Sequence, residues 1–245
     1  MSINEDIKKI ILQHRLAVYG HAPMAFDGVV DEGAYLSAPI KTAFLLKEVN
    51  GEEKKKQDGQ TVVIQMEKDW EFITDFMQTQ ATDASCELYP TWHNVCMWIE
   101  VLLNPTVTYA ECMNQWGHFD AARLRSNLGK IAVVNIKKSP GGAGSDYKEI
   151  EYYAQHTENA SLLREQMAKI QPDLVICGGT FAFAHKIWGD GSPMVSLSSG
   201  ARCFTCGNMV FLEFVHPRWF SVNRNILFAY AKEVFSDVRP MLLSE

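Results

Sequence analysis

The sequence has no apolar run approaching the ~18 residues that a membrane-spanning helix requires. It also has no excess of basic residues, because 23 Lys and Arg stand against 29 Asp and Glu and give a net charge of −6. This balance does not suggest the basic face that usually marks a nucleic-acid binder. With 47% hydrophobic residues, the 245-residue chain is long enough for one large core, so we predict a single soluble domain over residues 1–245.

Secretion and metal-binding signals are also missing. The first residues are too charged, and their apolar stretch is too short, for a secretion signal, so we expect a cytoplasmic protein without a membrane partner. The six cysteines are then expected to be reduced thiols, most of them packed in the core. Only Cys203 and Cys206 have the spacing of metal ligands. A structural zinc needs four ligands and no second close pair exists, so we predict neither a metal nor another cofactor.

Positive charge is concentrated in one region of this acidic chain. Between residues 123 and 148 there are six basic residues and one acidic residue, Asp146. The region surrounds a glycine-rich stretch at 139–144, whose backbone amides would allow a phosphate to approach closely. The stretch matches neither the phosphate loop of nucleotide hydrolases nor the dinucleotide fingerprint. An ordinary solvated surface is the alternative explanation.

Four apolar runs of strand length predict a sheet. They cover residues 42–46, 130–134, 173–177 and 209–215. Segments with helical spacing lie between and around them, and a Gly-Gly turn leads from the third run into a helix, an order typical of parallel sheets. We therefore predict an α/β protein, a three-layer α/β/α sandwich with a short, mainly parallel central sheet. Helices are predicted at 4–13, 69–77, 91–103, 157–170, 180–188 and about 221–235.

Two parts of the chain lie outside this pattern. Residues 1–38 form an N-terminal extension, in which the segment from 21 to 39 has Pro, Gly and acidic residues without a period and is predicted to be a loop. Residues 52–60 are charged and we expect them to be mobile. Together with the chain to about residue 88, they resemble an insertion or a lid.

A polar side chain follows each of three predicted strands. Glu48 stands just after the first strand, before an Asn-Gly turn; Asn135 follows the second, and His216 ends the fourth, with a proline behind it. Because the carboxyl ends of parallel strands meet at the edge where α/β proteins place ligands, we expect these three groups to converge. Asparagine offers both a donor and an acceptor, which suits reading the edge of a base. Taken singly, each residue has a simpler explanation as a turn residue or a strand cap.

Aromatic residues stand beside two of these positions. Trp92 lies at the entrance of the helix predicted at 91–103, where it either packs into the core or offers a stacking face for a ring. Trp219 and Phe220 follow the His-Pro-Arg of the last strand end and are open to the same two explanations.

The motifs at the strand ends resemble those of the uracil-DNA glycosylase superfamily, most closely its thermostable, iron-sulfur-containing branch. Residues 47–51 (Lys-Glu-Val-Asn-Gly) occupy the place of that branch's Gly-Glu-Ala-Pro-Gly, and 134–142 resemble its Thr-Asn-Val-Val-Lys-Cys-Arg-Pro-Pro-Gly. His-Pro-Arg at 216–218 is similar to the branch's His-Pro-Ser, and 170–178 resemble its Ile-Lys-Pro-Lys-Val-Ile-Val-Leu-Gly type of segment. The likeness covers most of 39–235 in order, without the insertion.

The chain departs from that family at informative places. The cluster-binding cysteine of the Lys-Cys-Arg-Pro motif is absent and there is no N-terminal cysteine pair, so we predict no iron-sulfur cluster. The first motif lacks the family's proline and first glycine, and Arg218 replaces the serine after His-Pro. We therefore expect an enlarged or altered pocket rather than strict uracil specificity.

The resemblance implies a monofunctional DNA glycosylase that flips out a uracil-like or modified pyrimidine and leaves an abasic site. Such base excision would serve DNA repair or defence against phages with modified bases. Glu48 would orient the water and offset positive charge on the sugar, while His216 would donate to the departing base. Asn135, Trp92 and Gly51 would recognise the base. No lysine stands out as a Schiff-base nucleophile, so strand nicking is not expected.

The expected partner is DNA, duplex or single-stranded, and no obligate protein partner is indicated. The predicted DNA contacts are Lys137, Lys138, Ser139, Gly141, Arg218, Trp219, Phe220 and Arg224. Two other functions are consistent with the sequence. The first is a non-catalytic nucleic-acid or nucleotide-binding module on the same scaffold, and the second is a hydrolase of free nucleosides, which would suit the acidic charge.

Overall fold

The computed structural model describes residues 2–50, 52–57, 60–65, 67–141, 145–219 and 221–243, and between 52 and 65 it describes the backbone alone. Nine strands lie in these ranges. They are β1 (Gly28–Val29), β2 (Thr42–Leu46), β3 (Glu52–Gln57), β4 (Gln60–Gln65), β5 (Ile131–Asn135), β6 (Leu174–Gly178), β7 (Val195–Ser196), β8 (Arg202–Cys206) and β9 (Met209–Phe214).

The same ranges contain nine α-helices. They are α1 (Ile3–Val18), α2 (Glu32–Leu36), α3 (Gln78–Thr82), α4 (Pro90–Leu103), α5 (Ala121–Leu124), α6 (Tyr147–Gln155), α7 (Thr157–Ile170), α8 (Phe181–Trp188) and α9 (Arg224–Leu242). A π-helical turn covers Phe72–Met77, and 3₁₀ turns cover Ala110–Cys112 and Arg125–Lys130. No helix in the described part of the chain combines the length and apolar character needed to cross a membrane.

Seven strands form one mixed sheet in the order β1-β5-β2-β6-β9-β8-β7. The four strands β5, β2, β6 and β9 are parallel to their neighbours within this group, whereas β1, β8 and β7 pair in the antiparallel sense at the two edges. Every residue of β2, β5 and β6 is buried, as expected for parallel strands covered on both faces. The predicted α/β class is confirmed, but the sheet is larger and more mixed than the short, mainly parallel one predicted.

Helices cover both faces of this sheet. Successive residues of β2 point to opposite sides, so Phe44 packs with α4 and α9 while Leu45 packs with α1, α7 and α8. Trp98 of α4 stacks on Phe44 at 6.4 Å between ring centroids and meets the edge of Phe214 at 4.8 Å. The two cores hold the sheet from both sides. The loops at its carboxyl edge therefore start from a rigid sheet.

The N-terminal segment is built into the domain. Helix α1 packs against α7, and β1 adds an edge strand beside β5. The loop predicted at 21–39 is therefore wrong in part, because β1 and α2 lie within it. A two-residue strand gives no apolar run to detect, and α2 begins where the Asp31 side chain accepts from the Ala34 amide.

The insertion has more regular structure than predicted. Residues 52–57 and 60, part of the segment expected to be mobile, lie in the antiparallel strand pair β3 and β4. The helix predicted at 69–77 is a π-helical turn that continues into α3. Aromatic rings fix this turn, because Phe76 packs against Phe72 at 5.6 Å and against Trp70 at 5.8 Å.

A buried carboxylate, Asp27, connects three parts of the fold. It accepts from the Asn135 backbone amide (2.6 Å), the Asn135 side-chain amide (3.0 Å), the Lys138 ammonium (2.8 Å) and the Gln166 amide (2.8 Å). The side chains of Asp27 and Lys138 are both 0% exposed. Burial lowers the pKa of Lys138, and the charge of Asp27 opposes this shift. Asp27 thus holds the loop after β5 against β1 and α7.

Replacing Asp27 tests this role. Asp27→Asn leaves the Lys138 ammonium buried without a counter-charge, so we expect the free energy of unfolding to fall by about 3–5 kcal/mol in urea denaturation. As a control, Glu151→Gln removes the exposed partner of Lys186 and should change it by less than about 1 kcal/mol. Equal losses of unfolding free energy in the two variants would show that the buried ion pair contributes no more to stability than an exposed one.

Candidate active site at the carboxyl edge of the sheet

The loops that leave β2 and β5 continue side by side beyond the sheet. Three backbone hydrogen bonds join them. The bonds run from the amides of Ile136, Lys137 and Gly141 to the carbonyls of Leu46, Lys47 and Val49, at 3.0, 2.9 and 2.9 Å. This pairing places Glu48 directly against the loop that follows Asn135.

Glu48 forms a buried ion pair in this position. Its Oε2 lies 2.8 Å from the Nζ of Lys137, and the two side chains are only 3% and 5% exposed. Lys137 also reaches Glu149 of α6 at 2.9 Å. Burial alone would lower the pKa of Lys137, but its bonds to the two carboxylates raise it overall. The group therefore contains two carboxylates and one ammonium, with a net charge of −1.

Gly141 packs directly on the Glu48 carboxylate. A Cβ atom at this glycine would lie 2.1 Å from the Cδ of Glu48, so a side chain cannot enter without moving the carboxylate. The Gly141 amide donates to the Val49 carbonyl and is not available to a phosphate. The prediction of Gly141 as a DNA contact is therefore wrong in this structure, because the glycine is needed to admit Glu48.

His216 lies just past β9 and is held as a neutral donor. Its Nδ1 accepts from the Arg218 backbone amide at 3.0 Å, so the neutral ring has its proton on Nε2. Burial lowers the pKa of His216 from its ordinary value of 6.5 to about 4, and the positive charges of Lys47 and Arg218 add to the shift. At neutral pH the site thus offers an uncharged imidazole N–H.

The Gly178-Gly179 turn at the end of β6 lies between the Glu48 and His216 strand ends. A Cβ on Gly178 would come within 2.8 Å of Leu46 and 3.1 Å of Pro217, and Gly179 has a φ of +68°. Only glycine permits this close approach to both neighbouring strand ends. The turn therefore keeps the ends of β2 and β9 at one edge of the sheet, as the sequence predicts.

Asn94 of α4 is a site residue that the sequence did not reveal. Its buried side-chain amide donates to the Pro217 carbonyl at 2.7 Å and so holds the His-Pro turn against the helix. Its Oδ1 has no hydrogen-bond partner among the described residues. In the sequence, the only indication of this role was a polar amide residue directly beside the apolar stripe of the helix predicted at 91–103.

Asn135 reaches the expected edge, but it is only 1% exposed and part of its hydrogen-bonding capacity is already used. One of its two side-chain N–H groups donates to Asp27, while its buried Oδ1 has no partner in the described part of the chain. The opposite amide orientation would set an oxygen against the Asp27 carboxylate, which fixes the assignment. The use of Asn135 as both donor and acceptor for a base edge therefore stays a prediction, with the second N–H and Oδ1 to supply the two groups.

Four other predicted contacts lie in the interior. Trp92 is 5% exposed and packs 6.4 Å from the Phe76 ring, so the core explanation holds and the stacking-face prediction is wrong. Lys138 cannot reach a phosphate because its ammonium is buried on Asp27. Lys137 is held between two carboxylates, and Ser139 is 8% exposed. The positive patch predicted from the sequence is thus partly internal.

The remaining predicted contacts lie on or near the surface. Arg218 is exposed, and Trp219 is 45% exposed. Arg224, at the start of α9, is half-buried, with its guanidinium 3.3 Å from the Nδ1 of His93. Gly51 and Phe220 lie outside the described residues, as do residues 142–144 of the glycine-rich loop.

No protein-family model matches this chain, and no curated protein or solved structure matches it. The resemblance to the glycosylase superfamily therefore depends on the motifs and on where their residues lie.

Within the described ranges, no group of three or more His, Cys, Asp or Glu residues is placed to hold a metal ion. Cys203 is buried in one core, whereas Cys206 packs against the other.

The protonation of His216 can be measured directly. We expect imidazole ¹⁵N resonances, assigned with a His216→Gln variant, to report the Nε2–H tautomer and a midpoint near pH 4. Because the unfolded ring takes up its proton near pH 6.5, stability should fall as pH drops from 6.5 towards 4. A midpoint near 6.5 in the folded protein would refute the neutral-donor assignment.

Gly141→Ala tests the packing on Glu48. The new methyl group must displace the end of a flexible side chain, so we expect the thermal unfolding temperature to change little while any activity that needs Glu48 is lost. Gly33→Ala serves as the control, because a Cβ there is 3.4 Å from its nearest neighbour. Full activity of the Gly141→Ala protein would show that the carboxylate need not occupy this position.

Proposed function

We propose that this protein has a uracil-DNA glycosylase-like fold and hydrolyses the N-glycosidic bond of a pyrimidine extruded from DNA. The proposal depends on one observation above all. A buried carboxylate on Glu48 and a neutral, oriented imidazole N–H on His216 lie at the same edge of a parallel sheet. The order β5-β2-β6-β9, with the three family-like motifs following β2, β5 and β9, supports the fold assignment.

These two groups suit the charges that develop in the reaction. Breaking the base-sugar bond leaves an oxocarbenium-like sugar and a negatively charged base. The negative group of Glu48, Lys137 and Glu149 would offset the charge on the sugar. Lys137 binds Oε2 of Glu48, and we assign Oε1 to the attacking water. His216 would donate its Nε2 proton as a hydrogen bond to the carbonyl oxygen of the departing base.

Asn135 suggests which bases this site accepts. Reading uracil by one amide requires a donor for O4 and an acceptor for N3–H. Here one N–H is bound to Asp27, and the second N–H and Oδ1 remain to meet O4 and N3–H of a uracil-like base. We therefore propose that Asn135 reads the polar edge of a uracil-like pyrimidine.

A non-catalytic nucleic-acid-binding module is the second candidate, and one observation favours it. The Glu48 side chain is 3% exposed and paired with Lys137, so a water molecule must gain access before the carboxylate can act. A module that binds an extruded base needs no such water. The two candidates therefore differ in whether Glu48 contributes to turnover.

The decisive assay uses DNA, duplex and single-stranded, with uracil, mismatched thymine or glucosylated hydroxymethylcytosine, followed by alkaline cleavage of abasic sites. We expect alkali-labile product from wild type and a loss of about 100-fold or more in Glu48→Gln and His216→Gln. Glu213→Gln is the matched control, because this carboxylate lies on β9 but pairs with the exposed Arg202.

Each alternative gives a different result. Binding without any abasic product would favour the non-catalytic module, and turnover of free nucleosides alone would favour the nucleoside hydrolase. Equal activity of Glu48→Gln and wild type would contradict the assigned mechanism. A strong preference for amino-bearing bases over uracil would contradict the reading of Asn135.

A further inference from the structure

Trp116 is the most exposed of the large hydrophobic side chains that the structure describes. It is 75% exposed, although indole rings are normally buried where a fold can use them. It stands in the short loop joined at its ends by a bridge between Met113 and Phe119. We call this loop, residues 113–119, the Trp116 turn.

The Trp116 turn is held by its own hydrogen bonds. The Asn114 side-chain oxygen accepts from the amides of Trp116 (2.9 Å) and His118 (3.1 Å). The Asn114 amide donates to the His118 carbonyl at 2.7 Å, and Gly117 adopts a φ of +74°. These bonds hold the backbone of the tip in one conformation, so binding through the indole would order little more than the Trp116 side chain.

A chain of contacts connects this turn with the His216 edge. The Phe119 ring stacks on His93 at 4.4 Å between centroids, and the Arg224 guanidinium lies 5.8 Å over the Phe119 ring. The residue after His93 is Asn94, which donates to the Pro217 carbonyl beside His216. Two residues separate Trp116 from Phe119, so the Cα atoms of these two residues are at most about 11 Å apart.

We propose that Trp116 stacks on a nucleobase of a single strand that passes the His216 edge, one or two nucleotides from the extruded base. Arg224, which lies over the Phe119 ring of the turn, and the exposed Arg218, two residues after His216, would supply positive charge for the phosphates of that strand. The inference rests on the proposed function for its choice of nucleic acid as the partner. It assigns to Trp116 a stacking role on a flanking base, which differs from the stacking on the extruded base that was predicted for Trp92.

A single strand fits this surface better than a protein partner. An aromatic side chain on a rigid turn beside arginines is the combination that binds unpaired bases, whose faces stack without sequence preference. The β-strand or helix of a protein would need a larger apolar area than one indole. A protein partner would leave oligonucleotide affinity independent of Trp116.

The test measures the affinity of a labelled 15-nucleotide single strand by fluorescence anisotropy in a Glu48→Gln background, which prevents turnover. We expect Trp116→Ala to bind about 5- to 100-fold more weakly and Trp116→Phe to keep most of the affinity. Tyr152→Ala is the control, because Tyr152 is another exposed aromatic side chain (58%) and lies on α6, outside the Trp116 turn.

Unchanged affinity of Trp116→Ala, an equal loss in Tyr152→Ala, or no binding of any single strand by the parent protein would overturn the inference. These outcomes are separable from failure of the proposed function. Trp116-dependent binding without base excision by wild type would support the stacking surface and reject the glycosylase. Base excision with affinity independent of Trp116 would support the glycosylase and reject the stacking surface.

Discussion

The ion pair of Asp27 and Lys138 constrains the whole carboxyl edge of the sheet. Both side chains are fully buried, and a buried carboxylate is stable only when charge and hydrogen bonds replace the water it has lost. Its donors come from the loop after β5 and from α7. The loop is therefore fixed in the conformation that sets Lys137 against Glu48. Asp27 also accepts from one side-chain N–H of Asn135, so one carboxylate positions both the loop beside Glu48 and the amide of Asn135.

Glu48 and His216, the two chemical groups at this edge, have different electrostatic surroundings. The Glu48 carboxylate is buried with the Lys137 ammonium within hydrogen-bonding distance, and Glu149 is a second carboxylate on the same ammonium. Burial and the positive charges of Lys47 and Arg218 lower the pKa of His216 to about 4, so its ring is neutral at pH 7. The charges suit a reaction whose sugar becomes positive and whose leaving base becomes negative.

The sequence predicted the strands of this edge because parallel strands buried on both faces are continuous apolar runs; β2 has the predicted bounds. It did not predict Asp27, which lies in a stretch without a period and acquires its role only through partners distant in the chain. Nor could it tell that Lys138 turns inward and Trp92 joins the core, whereas Trp116 stays in solvent. Lys137 and Lys138 are adjacent and chemically identical in the sequence. Only the folded loop shows that Lys137 pairs with Glu48 and Lys138 with Asp27.

The central claim is that Glu48 stabilises a positive sugar at this edge. The most direct measurement compares the affinities of DNA containing a cationic pyrrolidine sugar analogue and DNA containing a neutral tetrahydrofuran abasic site. We expect wild type to bind the cationic analogue about tenfold or more tightly, a difference of about 1.4 kcal/mol, and Glu48→Gln to lose that preference. Equal affinity of wild type for the two sugars would contradict the claim.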